Sequence, residues 1–358
     1  MSEHRFPWKW YLADLKNVPQ NGCKVFSCFS CGGGSSMGYK LAGYQVIGNC
    51  EIDPQMNEIY KYNHHPRYSY LMDIRDFCVK DNSELPPELF DLDVLDGSPP
   101  CSVFSVAGQR EKGWNKDKKF REGQKLQRLD DLFFAFVDVA EKLKPKVIIA
   151  ENVKGLVTGQ AKGYVADIIK AFGDASYTVQ LFLLNGAQMG VPQKRERVFF
   201  VAHRKDLALP KLSLDFHEKP ITFGEVRSKE GVPNADSSLA AKLLAHRRKV
   251  DKTIGDIHKR LGEKESGFTQ CIFNDKEVCG TVVSGGNYYR FYDGMKLSEQ
   301  DFVAVQTFPQ DYDFRSASPQ YVCGMSVPPV MMANIASEVY KQWLSRVGSE
   351  VNGQTCAG

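Results

Sequence analysis

From Cys23 to about His203 the chain alternates short apolar runs with longer segments of helical periodicity, and few architectures accept that rhythm. Val25-Phe26-Ser27-Cys28-Phe29 predicts a strand ending on the turn Cys31-Gly32-Gly33-Gly34-Ser35-Ser36, with a helix to about Leu41 behind it. Tyr44 to Asn49 predicts a second strand that closes on Glu51-Ile52-Asp53. Phe90 to Leu95, Lys146 to Ala150 and Val198 to Ala202 read as further buried strands. Leu132, Phe133, Phe136, Val137 and Ala140 fall on one face of a helix within 129–142. Helical crossovers make the strands they join parallel and cover both faces of the sheet. The expected class is therefore α/β, a doubly wound, mostly parallel, Rossmann-like sheet.

The rhythm stops after Arg204. From Lys205 to Gly285 apolar residues are scattered, Pro210, Pro220 and Pro233 interrupt, and no βα alternation is visible. This stretch is expected to be a smaller inserted domain. Order returns with a helix over 297–306 carrying a Ser298 N-cap, and a last helix from Pro328 to about Leu344. The division expected is a catalytic domain over 1–204, a recognition domain over 205–285, and a return to the first domain over 286–358.

A chain of 358 residues, 42% hydrophobic and 25% charged, is ordinary for a water-soluble protein with a sizeable core. The net charge of +3 is small, but its distribution is uneven. Arg110, Lys112, Lys116, Lys118, Lys119, Arg121, Lys125 and Arg128 face only Glu111, Asp117 and Glu122, and a second basic run includes Arg247, Arg248, Lys249, Lys252, Lys259 and Arg260. Two such runs suit a phosphate backbone, although each alone also suits a solvated face. The N-terminus lacks an apolar signal core, and no stretch approaches the roughly 18 apolar residues of a membrane span, so no membrane association is expected. The ten cysteines fit a reducing cytoplasm. Cys28 and Cys31 have C-x-x-C spacing without a second pair to complete a metal site, and no metal is expected.

Two strand ends carry chemistry. Asp96-Gly97-Ser98-Pro99-Pro100-Cys101 places a thiol on a rigid Pro-Pro turn, and Val147 to Ala150 runs into Glu151-Asn152-Val153. Open α/β sheets build their sites at the carboxyl ends of strands. A thiol facing a carboxylate there suits sulfur attack on an electron-poor ring while the acid holds a ring nitrogen. A glycine turn after the first strand, an acid (Glu51) at the end of the second and another (Asp73) in Leu71-Met72-Asp73-Ile74 have the layout of a nucleoside-cofactor site. The glycines lack G-x-G-x-x-G spacing, which argues against a dinucleotide.

In this order the motifs resemble those of the DNA cytosine-5 methyltransferases of bacterial type II systems over nearly the whole chain. Phe29-Ser30-Cys31-Gly32-Gly33-Gly34 is similar to the S-adenosylmethionine loop, Pro100-Cys101 to the nucleophile motif, Glu151-Asn152-Val153 to Glu-Asn-Val, and Gln193-Lys194-Arg195-Glu196-Arg197 to Gln-x-Arg-x-Arg. Tyr289-Arg290, Glu299, Gln306 and Phe308-Pro309 fit the motif before the last helix, and Gly324 to Pro329 the closing one. The resemblance implies an S-adenosylmethionine site lined by Phe29, Ser30, Cys31, Gly33, Gly34, Glu51, Ile52, Asp73, Ile74, Pro100, Leu132, Ser326 and Val327. Glu51 would take the ribose hydroxyls, Ile52 would pack on adenine, and Asp73 would accept the adenine amino group. It further implies catalysis by Cys101, Glu151, Arg197 and Arg195 on a cytosine flipped out of double-stranded DNA. Cys101 would add to C6, Glu151 would hold N3 and the amine, Arg197 would reach O2, and Arg195 would favour the thiolate. A monomer is expected, and a cognate restriction endonuclease, a solitary enzyme and a phage-defence system all stay open.

Three positions depart from the family pattern: Cys31 replaces a glycine, Ser102 a glutamine and Met325 an asparagine. Two alternatives stay open. A tRNA cytosine-5 methyltransferase shares the catalytic domain and the Pro-Pro-Cys turn, but this chain has Gly267-Phe268-Thr269 where that branch carries Cys-Phe-Thr. A non-catalytic nucleic-acid-binding module would have no need of Cys101, Glu151 and Arg197 together.

Overall fold

The computed structural model describes residues 4–100, 131–158, 162–235, 238–262 and 270–347; Cys101, Ser102, the first basic run and Gly267 to Thr269 lie outside the described residues. The chain divides into two compact units. The first comprises Asn17–Leu184, Glu196–Asp215 and Met332–Gly358, and the second Met1–Lys16, Asn185–Arg195 and Phe216–Met331.

The first unit is built on seven strands: β1 (Lys24–Cys28), β2 (Gln45–Glu51), β3 (Tyr68–Leu71), β4 (Val94–Gly97), β5 (Val147–Val153), β6 (Tyr177–Asn185) and β7 (Glu196–Arg204). Their order is β3-β2-β1-β4-β5-β7-β6. Strands β1 to β5 run parallel, and β7 is antiparallel to β5. Helices α1 (Gly34–Leu41), α2 (Pro54–His64), α3 (Ile74–Val79), α4 (Leu132–Leu143) and α5 (Lys162–Asp174) connect them. Burial on both faces explains the unbroken apolar runs, for Val147 to Ala150 of β5 are all fully buried. Phe133, Phe136, Ala140 and Leu143 of α4 join Phe26, Phe77, Ile148 and Phe200 in one core. Each such aromatic or leucine side chain contributes about 1.5–3 kcal/mol on burial. Helix α4 presses on the end of β4 at its one residue without a side chain: a Cβ on Gly97 would lie 2.4 Å from the Phe136 ring.

Strand order reverses between β1 and β4, which opens a crevice at their carboxyl ends. The register aligns that rim. Cys50, Cys28, Gly97 and Ala150 stand in one row across β2, β1, β4 and β5. The residues that follow them, Glu51, Phe29, Ser98 and Glu151, therefore continue the chain from the same level.

The second unit holds a two-stranded parallel sheet, β8 (Gln270–Phe273) with β9 (Asn287–Arg290), among helices α6 (Phe223–Val226), α7 (Leu239–Leu244), α8 (Ile254–Arg260), α9 (Glu299–Val305) and α10 (Pro319–Met325). Phe223, Phe273, Tyr288 and Phe302 form its core. Ser298 caps α9 as expected, accepting from the Asp301 amide inside a capping box. The last helix, α11 (Pro329–Val339), passes into a π-helical turn at Tyr340–Leu344.

The units fall at residues other than the expected 204, 205, 285 and 286. Residues 205–215 stay with the large sheet because Gln180 on β6 grips both the Leu212 amide and its carbonyl, and Trp343 donates to the Pro210 carbonyl. Residues 286–331 belong with the second unit because β9 pairs with β8. The N-terminal segment joins that unit through Trp10, buried with its indole N–H on the Thr307 carbonyl at 2.9 Å.

Candidate active site

The turn after β1 is a left-handed device. Phe29 has φ 51°, Cys31 φ 46° and Gly33 φ 83°, and the Gly33 amide closes onto the Ser30 carbonyl at 2.9 Å. Cys31 therefore holds a conformation that glycine adopts at no steric cost and other residues at about 1–2 kcal/mol. Gly33 is obligatory for a second reason, since a Cβ there would meet Nε2 of the buried His64 at 2.0 Å. Asn49, wholly buried in β2, donates to both Ser30 Oγ and Asn57 Oδ1 and so fixes the turn to the second strand.

Glu51 ends that strand. Its Oε2 accepts the Cys31 amide at 2.7 Å, and its Oε1 accepts the amides of Ile52 and Asp53 at 3.0 and 2.9 Å. Burial pushes the carboxyl up, while those N–H groups pull it back down. Three donors leave a carboxylate with lone-pair capacity for another. Ile52 beside it is 39% exposed although Glu51 and Asp53 on either side are buried. Asp73 caps α3, with Oδ1 on the Arg75 amide and Oδ2 on the Arg75 guanidinium, while Ile74 is buried. An exposed apolar side chain next to Glu51, with Asp73 following the neighbouring strand, suits a group with an apolar ring, a diol and an exocyclic amine. The residues present fit an adenosyl cofactor.

On the next strands Glu151 and Arg197 form a cross-strand ion pair, Nε to Oε1 at 2.9 Å, with 12% and 14% of the side chains exposed. Burial lowers the Arg197 guanidinium and Glu151 raises it back; it stays cationic, since arginine ordinarily titrates far above neutrality. Asn152, buried on the opposite face of β5 from Glu151, donates to the Pro99 carbonyl at 3.1 Å and accepts from the Val153 amide. The Pro-Pro turn is thus fastened to β5 two residues before Cys101. Pro100 is the last described residue before Cys101, and Leu132 opens α4 from within the core.

In the second unit a buried hydrogen-bond net absorbs most of another set of motif residues. Gln193 donates to Gln306 Oε1 at 2.7 Å and accepts from the Val282 amide, and Gln306 in turn donates to the Ser326 carbonyl. Arg195, 1% exposed, donates to the carbonyls of Val282, Gly324 and Ser326 at 2.8 to 2.9 Å. Those bonds aim its guanidinium at backbone of its own unit. Ser326 and Val327 are buried beside it.

The sequence profile of C-5 cytosine-specific DNA methylases matches residues 23–341. The chain belongs to that family. The methylase is 28% identical to type II methyltransferase M.FnuDI of Fusobacterium nucleatum, over 93% of this chain and 99% of that protein. It is 26% identical to type II methyltransferase M.NgoPII of Neisseria gonorrhoeae, over 90% and 96%. In fold it is similar to a crystal structure of a DNA modification methyltransferase encoded within an E. coli prophage (TM-score 0.63, 18% identity, 90% of this chain and 99% of that one). It is also similar to Spodoptera frugiperda DNMT2 (TM-score 0.59, 15% identity, 89% and 100%). Among the described residues no helix is long and apolar enough to cross a membrane.

The methylase's first unit therefore gathers Phe29, Ser30, Cys31, Gly33, Gly34, Glu51, Ile52, Asp73, Ile74, Pro100, Leu132, Glu151 and Arg197, while Arg195, Ser326 and Val327 are residues of the second. Sequence reading gave no role to Asp96, a residue of β4 with 2% exposure. Its carboxyl accepts Ser27 Oγ at 2.7 Å and Tyr39 OH at 3.3 Å. Burial pushes it up to about 7, and the charge of Glu151 adds to the rise. The signal was present as a lone acid in an apolar strand. Of the second basic run, Arg247 is spent on the fold: its guanidinium donates to the carbonyls of Leu244, Phe291 and Tyr292. Arg248 and Lys249 of the same run are exposed.

Proposed function

We propose that this DNA cytosine-5 methyltransferase moves a methyl group from S-adenosylmethionine to C5 of a cytosine flipped out of a specific duplex sequence, through a covalent bond between Cys101 and C6. The observation that supports the reading is the aligned rim, along which Glu51, the segment before Cys101 and the Glu151–Arg197 pair follow the same end of one sheet. S-adenosylmethionine, when bound, supplies an electrophilic methyl group on a sulfonium.

The protein's share is to make C5 nucleophilic. The Cys101 thiolate adds to C6 and drives electron density toward C5, N3 and O2. Glu151, protonated as the base binds, donates to N3 and accepts from the exocyclic amine through its other oxygen, and Arg197 places its charge at O2, where negative charge builds. Their ion pair fixes both side chains before the base arrives, so little ordering remains for the reactive complex. C5 takes the methyl group, loses its proton to solvent or a base, and the Cys101 sulfur leaves C6 with its electron pair. Inside a stacked duplex sulfur cannot reach C6, so the base must rotate out. Glu51 holds the ribose hydroxyls, Ile52 packs on the adenine ring and Asp73 accepts its amino group. Arg195 acts at a distance, by fixing the backbone around Gly324 and Ser326.

Sequence choice is assigned to the second unit, outside the sheet that carries the chemistry, and the chain is assigned to act as a monomer. Labelled S-adenosylmethionine incubated with duplex DNA, with tRNA and with neither tests the reading. Label in DNA cytosine supports it, label in tRNA alone gives the sequence to the RNA branch, and no label with intact cofactor binding leaves a binding module.

A further inference from the structure

We propose that Arg75 is a positioning residue for the adenine end of the cofactor, acting through Asp73. Arg75 stands in the first turn of α3, and its two guanidinium arms diverge. Nη1 donates to Asp73 Oδ2 at 3.0 Å, and Nη2 donates to Oδ1 of Asp131, the residue that precedes α4. Its own amide holds Asp73 Oδ1 at 2.9 Å. Both oxygens of Asp73 are thus set by one neighbour, which fixes the plane of the carboxylate and leaves each oxygen a lone pair directed elsewhere.

Stability does not account for the arrangement. The side chains of Asp73, Arg75 and Asp131 are 22%, 33% and 48% exposed, and ion pairs open to water contribute little to folding. What such a pair does supply is orientation, because the rigid planar fork of arginine fixes the directions of two carboxylates, which the rotatable donors of an ammonium do not. One cation between two carboxylates leaves the cluster net negative, so it still favours an amine donor. Asp131 also precedes Leu132, so the same bridge ties the amine acceptor to the start of the helix that carries another candidate lining residue.

The inference rests on the assignment of Asp73 to the adenine amino group, and its test separates the two. Calorimetric titration would compare S-adenosylhomocysteine with its deaminated form, S-inosylhomocysteine, which presents a carbonyl where adenine presents an amine. The wild-type protein is expected to favour the adenine form at least tenfold, and Asp73→Asn to lose that preference. Arg75→Ala and Arg75→Lys are both expected to cut the preference at least fivefold, and Asp131→Asn to cut it in the same direction without altering any atom of Asp73 or Arg75. A wild-type protein that binds both ligands alike would remove the Asp73 assignment. A preference lost in Asp73→Asn but kept in Arg75→Lys and Asp131→Asn would overturn the role of Arg75 and leave that assignment standing. Should Arg75→Ala fail to fold, the other two variants still decide.

Discussion

Glu51 and Asp96 are both buried acids whose carboxyls burial pushes up, yet they predict different things. Glu51 has backbone donors on both oxygens and room for another, so Glu51→Ala should weaken S-adenosylhomocysteine by about 1.5–3 kcal/mol, the worth of a hydrogen bond to a charged group. Calorimetry reads this directly, and an unchanged dissociation constant would remove Glu51 from the cofactor site. Among the described residues Asp96 has two hydroxyl donors. Its folded pKa of about 7 lies above the unfolded value near 3.9, so between those limits the native state holds a proton that the unfolded chain has lost. Asp96 should therefore lower stability as pH rises from about 4 to about 7, by at most about 1.4 kcal/mol per pH unit, with no further change above. Asp96→Asn should flatten the melting temperature over that window, and a profile parallel to wild type would refute the assignment. Arg195 and Arg197 show what spacing alone cannot tell. They stand two residues apart in one motif, but one is bonded to backbone carbonyls of the second unit and the other to Glu151 on a neighbouring strand.

The strands were legible because a sheet buried on both faces demands apolar runs, of which Val147 to Ala150 in β5 and Val198 to Ala202 in β7 are unbroken. Ser298 was legible because a capping box is local. The fastening of the Pro-Pro turn was not, since Asn152 reaches Pro99 through space from another strand. That fastening makes a prediction. Asn152→Ala should cost about 0.5–1.5 kcal/mol for the lost bond and lower kcat several-fold while S-adenosylhomocysteine affinity stays within twofold, because Glu51 and Asp73 are untouched. Single-turnover methylation beside calorimetry checks both, and an equal fall in affinity would mean that Asn152 supports the rim generally. Gly97→Ala acts at the same place by another route: a methyl group 2.4 Å from Phe136 must displace α4 or β4, and the first unit should melt several degrees lower.

The division into units was the least legible property, for it is decided by partners distant in sequence. Gln180 claims Leu212 for the sheet, and β9 finds β8 across the expected boundary. Arg247 belongs to the same lesson, a cation in a basic run that three carbonyls claim. DNA binding by the second unit is therefore expected to respond to Arg248→Ala and Lys249→Ala with a uniform loss over all sequences and a shallower salt dependence. A relaxed preference at one base pair would instead mean base readout. The proposal that unites the two units is covalent methylation of DNA cytosine by Cys101, and bisulfite sequencing of DNA from cells expressing the wild-type chain or Cys101→Ser tests it most directly. The account predicts protection of cytosine at one short sequence with the wild-type chain and none with the serine variant, whose hydroxyl stays protonated at neutral pH. No protected sequence with the wild-type chain, or protection by Cys101→Ser within tenfold of wild type, would contradict it.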